Sequence, residues 1–151
     1  MELVRFWPVV VVMVVACAHT PAASHASAIT LVTLPTESDA HPTIANATTG
    51  ALVHARVAGV DRTVTSKVSI EVVQLSIECV DPTTACYGAV ARSLSAGKLL
   101  FAQVDDDASG PRITITLYDA ANNQPRASKR TFASEADAVA GVANLVSEVT
   151  R

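Results

Sequence analysis

The sequence predicts an α/β (α+β) sandwich, a mixed sheet of about five strands ending in an antiparallel C-terminal meander, with helices packed on the sheet. Three observations carry that expectation. Segment 112–119 alternates strictly: Ile113, Ile115 and Leu117 fall on one side, and Arg112, Thr114, Thr116 and Tyr118 on the other. That is the period of two of a pleated strand. Val139, Val142, Val146 and Val149 recur at i, i+3, i+7 and i+10, one stripe of a helix with 3.6 residues per turn. Strand-like and helix-like segments also interleave along the chain, which calls for a sheet with helices laid across it.

In chain order, 29–34 is a β-branched apolar run stopped by Pro35 and reads as a buried first strand. Residues 35–45, with two prolines and His41, read as a loop. Asn46 or Thr48 is a candidate cap for a helix over 51–58, with Gly59 just beyond. Val60, Val64 and Val68 mark a short strand over 60–68. Ser69 then caps a helix whose apolar positions are Ile70, Val73, Ile77 and Val80. Asp81, Pro82 and Thr83 open the next helix, which places Cys86, Val90 and Leu94 on one side and Gly97 at the expected left-handed stop. Segment 99–104 reads as a central strand and 105–111 as an aspartate-rich turn. After the alternating strand, which has one face on the core and one wet or lightly covered, the asparagine-rich 120–125 is a second turn. Segment 126–132, carrying Arg126, Lys129 and Arg130, has the chemistry of a protected sheet edge. Ser134 and the acidic residues after it start the closing helix.

The 151 residues make one ordinary domain, and the 50% that are hydrophobic suffice for a core. The formal charge is −3, which gives no basic face for nucleic acid. Aromatic residues are too scarce to stack single-stranded bases.

Residues 1–5 form a short n-region with Arg5, and an apolar block follows at 9–16. The block has the length of a signal-peptide core and is too short for a spanning helix. Val14-Val15-Ala16-Cys17 resembles the bacterial lipobox, with valine where leucine is usual. The resemblance implies a signal peptide over 1–16, lipid on Cys17, and a tether over 17–27 before a single α/β domain at 28–151. Ala18 after the cysteine implies sorting to the outer membrane, with the domain facing the periplasm. Ordinary secretion is the alternative, because Ala16-Cys17-Ala18 and Ala26-Ser27-Ala28 also fit a small-x-small cleavage pattern. With Cys17 lipidated, Cys79 and Cys86 remain. An even pair in an oxidising compartment reads as a disulfide. Their spacing is neither that of a C-x-x-C redox motif nor that of a zinc site.

The segment from Cys79 to Phe132 resembles a domain of envelope proteins of myxobacterial type. It carries Cys-x6-Cys, then Leu94-Ser-Ala-Gly-Lys-Leu-Leu-Phe, an aspartate-rich turn, Ile113-Thr-Ile-Thr-Leu-Tyr-Asp119 and a basic strand. It is also similar to the small α/β domain at the N-terminus of TolB proteins and in curli-secretion and penicillin-binding-protein-activator lipoproteins. The resemblance implies a non-enzymatic accessory that binds another envelope protein and reaches the membrane through a lipid anchor. A secreted hydrolase or ligand-binding domain with a dispersed site is the alternative.

Other candidate sites have plainer readings. Asp105-x-Asp107-x-Ser109-Gly110 imitates half of an EF-hand loop, but the twelfth position is Thr116. It reads as a polar turn, so no metal is expected. His19, His25, His41 and His54 stand at no catalytic or zinc spacing and read as solvated. No catalytic or cofactor motif is present. Arg126, Lys129 and Arg130 read as a solvated edge, with an acidic partner or lipid headgroup as the lesser alternative.

Overall fold

A computed structural model describes residues 28–151. The expected signal peptide, Cys17 and the tether lie outside the described residues. The alternating segment becomes β4 (Gly110–Asp119), which is paired on both sides, with β3 (Lys98–Asp107) and with β5 (Gln124–Thr131). Both pairings are antiparallel and form the expected meander. β1 (Thr30–Thr33) lies parallel to β3 on its other side, and β2 (Arg62–Thr65) lies parallel to β1. Among the described residues this gives one mixed five-stranded sheet in the order β2-β1-β3-β4-β5.

Four helices cover it among the described residues: α1 (Pro42–Val53), α2 (Ile70–Ser76), α3 (Thr84–Ser93) and α4 (Glu135–Thr150). Alternation along the strands sends side chains to two separate cores. On one face Leu31, Leu100, Ile113, Ile115 and Leu117 meet Ile44 and Leu52 of α1 and Val142, Leu145 and Val149 of α4. On the other, Val32, Leu99, Phe101 and Tyr118 meet Ile70 and Val73 of α2 and Tyr87, Val90 and Ala91 of α3. The sheet is therefore sandwiched, as the sequence predicts.

Several elements differ from the sequence expectation. The first helix begins at Pro42, inside the stretch read as a loop, and not at 51. Asn46 and Thr48 consequently lie within the helix, and His41 holds the cap position. Proline at the first helical position presets φ and lacks only an N–H that would be unpaired there anyway. Ile44, Ala45, Thr48 and Leu52 form the buried face. Packing on α4 and the sheet holds this helix despite its threonines and Gly50, whose propensity is poor. Residues 54–58 are not helical.

The strand expected over 60–68 is confined to β2. α2 ends at Ser76, so of its expected stripe Ile70 and Val73 are buried, Ile77 packs at the margin and Val80 is exposed. Ser69 makes no side-chain cap; its hydroxyl donates to Glu37 Oε2 at 3.1 Å. The left-handed residue after α3 is Ser95, at φ 51°, not Gly97. Gly97 is small for a different reason. Its N–H donates to the Thr30 carbonyl of β1, and a Cβ there would lie 3.1 Å from the Ile29 side chain.

The aspartate-rich turn is mostly strand. β3 runs through Asp107, which pairs with Gly110 across a tight loop. The second face of β4 is not wet throughout: Thr116 and Tyr118 are buried on the side that α2 and α3 cover, while Arg112 and Thr114 remain half-buried. The buried stripe of α4 starts at Ala138, and Val139 points outward.

Candidate functional site

Cys79 and Cys86 are joined by a disulfide, with Cα atoms 5.6 Å apart. It ties the segment after α2 to the first turn of α3. Thr83 caps α3 by accepting from the Cys86 N–H at 3.2 Å, and the Gln74 amide donates to Cys86 Sγ at 3.3 Å. The bridge is part of the frame that holds α2 and α3 together on the sheet.

The two sheet edges differ. β5 is exposed, but it is a defended edge: Arg130 pairs with Glu148 of α4 at 2.9 Å, and the Arg126 guanidinium donates to the Val149 carbonyl at 3.4 Å. The sequence reading of Arg126, Lys129 and Arg130 as an edge agrees with their place in the sheet. β2 is exposed at all four residues. The Arg62 and Ser66 N–H groups donate to the Ile29 and Thr33 carbonyls. By the period-two alternation of a strand, the N–H groups of Thr63 and Thr65 then face away from β1, on the side where no described strand pairs. Val64, and beyond the strand Val68, Val72, Leu75 and Val80, are exposed apolar side chains on the same stretch of chain.

A third feature is not legible in the sequence. His41 stands between two carboxylates, its Nδ1 2.9 Å from Glu135 Oε1 and its Nε2 2.7 Å from Asp106 Oδ1. It is not solvated as expected: its side chain is 14% exposed. The hydrogen bond to Glu135 and then that to Asp106 raise its pKa above the ordinary 6.5. The partners lie 94 and 65 residues away in sequence, so no local spacing signals them. Asp105 and Asp107, the half-EF-hand pair, both pair with Arg112, at 3.5 and 2.9 Å. That ties them into the hairpin as counter-charges.

A shallow depression lies between α3 and the β4–β5 turn, lined by Ala85, Gly88, Arg92, Tyr118, Ala120 and Asn123. Tyr118 donates to Asn123 Oδ1 at 2.7 Å, and a Cβ on Gly88 would come within 3.0 Å of that hydroxyl. Gly88 thus lets the tyrosine reach the turn. Among the described residues, no group of three or more His, Cys, Asp or Glu side chains is arranged to hold a metal. No described helix is long and apolar enough to cross a membrane. His54 lines a separate depression between α1 and α4, and His19 and His25 fall outside the described residues.

No protein-family model matches the sequence, and no curated protein matches it. The myxobacterial resemblance therefore gains no support at the level of sequence. Among solved structures the chain is similar to the LpoB C-terminal domain from Salmonella enterica, at 15% identity and a TM-score of 0.43, over 75% of this chain and 88% of that one. It is similar to the PelC dodecamer from Paraburkholderia phytofirmans, at 13% and 0.43, over 82% and 90%. It is also similar to TolB from Acinetobacter baumannii, at 12% and 0.42, over 81% of this chain but 28% of TolB. These are likenesses of backbone path, from which no partner or activity follows.

Proposed function

We propose that the chain is a non-enzymatic accessory protein of the cell envelope. In this reading residues 1–16 are a cleaved signal peptide and Cys17 carries lipid. Residues 17–27 then tether the domain at 28–151 to the outer membrane, on its periplasmic side. The domain docks a partner protein along β2. The observation that supports docking there is the β2 edge, unpaired on its outer side among the described residues, with the Thr63 and Thr65 N–H groups turned away from β1 and apolar Val64, Val68, Val72 and Leu75 nearby in the chain. An added strand from a partner would take its main-chain bonds from this edge, with the apolar side chains supplying contact area. β5 is the poorer edge because its charges oppose further pairing.

Photo-crosslinking in cells tests the docking. A crosslinker at Val64 or Leu75 should give one protein adduct that is lost in Thr63→Pro, which removes an outward N–H and leaves the β1 ladder intact. Adducts only from a crosslinker at Lys129, or none from either edge, would refute it. The anchor has its own readout: the intact mass of membrane-extracted protein should carry the added mass of lipid on Cys17. An unmodified mass with a new terminus just after one of the small-x-small sites would favour secretion.

A further inference from the structure

We infer that His41, Asp106 and Glu135 form a pH-sensitive clasp, which ties the β3–β4 hairpin to the N-terminal ends of α1 and α4 and loosens when the imidazole ring loses a proton. The geometry requires the charge. An ionised carboxylate can only accept hydrogen bonds, so both ring nitrogens must donate, and only imidazolium carries hydrogen on both. A neutral ring keeps one N–H. One of the two contacts then becomes a lone pair facing a carboxylate oxygen, which is repulsive.

The surrounding charges favour the proton. On the hairpin, Asp105 and Asp107 add negative charge, and Arg112 is taken up by those two. Asp39 lies on the loop before α1. Asp137 lies in the first turn of α4, where it accepts from the Ser134 hydroxyl at 2.7 Å. Opposing them are the positive dipole ends of α1 and α4, each equivalent to roughly half a charge. Two full carboxylates in direct contact with the ring outweigh these. Because the folded pKa is raised above 6.5, the stabilisation is complete below that value and is lost as pH rises through the folded pKa. The clasp is closed while the ring is protonated and both carboxylates are ionised, and it opens as pH rises through the folded pKa.

The test is an NMR titration of the histidine rings in the full-length protein in detergent micelles, over roughly pH 5 to 9. His41 is assigned by the signal that disappears in His41→Asn. It should titrate above 6.5, with both ring nitrogens protonated below its pKa. Asp106→Asn and Glu135→Gln should each move the titration down; both sites are exposed enough for the fold to survive. Amide exchange at the hairpin tip, corrected for the intrinsic pH dependence, should speed up by about threefold or more across the transition, and should not do so in His41→Asn. Titration at or below 6.5, indifference to both variants, or hairpin exchange unlinked to His41 would overturn the inference.

Discussion

Replacing Gly110 by alanine should destabilise the domain more than its place in a surface hairpin suggests. Gly110 has φ 127°, and a Cβ there would lie 2.2 Å from the Phe132 carbonyl oxygen. Holding a non-glycine residue at such a φ costs about 1–3 kcal/mol. The overlap is with backbone, so it can be relieved only by parting Gly110 from Phe132. That endangers the 2.9 Å bond from the Phe132 N–H to the Pro111 carbonyl, worth about 1 kcal/mol. The total is roughly 2–4 kcal/mol. For a domain of about 120 residues this lowers Tm by roughly 8–16 °C. Gly59 is the internal control: its φ is 69°, but nothing lies within 4 Å of a Cβ there. Gly59→Ala should therefore cost only the conformational part, about 1 kcal/mol. Urea and thermal denaturation of both variants measure the difference. If Gly110→Ala costs no more than Gly59→Ala, the backbone contact is not what glycine serves.

Two further outcomes follow from the same geometry. In the chain-entropy account, closing a loop of about eight residues contributes roughly 2.5 kcal/mol; Cys79→Ala/Cys86→Ala should lose about that much in urea denaturation, and unchanged stability would contradict it. Burial alone would raise the Asp119 pKa, but the hydrogen bond and charge of Lys98, with the Ala121 and Asn122 N–H groups, hold it below the usual carboxylate range. That stabilisation is present above the ordinary value of 3.8 and is lost as pH falls through the depressed one. Lys98→Met should therefore flatten the acid limb of the stability curve, and an unaltered limb would count against the pair.

The meander is legible in the sequence because alternation in 112–119 is local and strong, and α4 is legible because its stripe has helical period. The position of α1 is not, because Pro42 and a threonine-rich face resemble a loop until α4 packs on them. The outward turn of Val139 is hidden for another reason: a period cannot say which neighbouring row faces the sheet, and burial of Ala138 decides that. Gly97 and Gly110 are visible as glycines, but the close approaches that need them involve residues far along the chain.

By itself the sequence determined the class of fold, the expected cysteine pair and the lack of a local catalytic motif, since each depends on patterns within a few turns or strands. Only the tertiary structure decided that β2 is an edge strand among the described residues, and that His41 meets Asp106 and Glu135. Both depend on contacts between residues tens of positions apart, which no periodicity encodes.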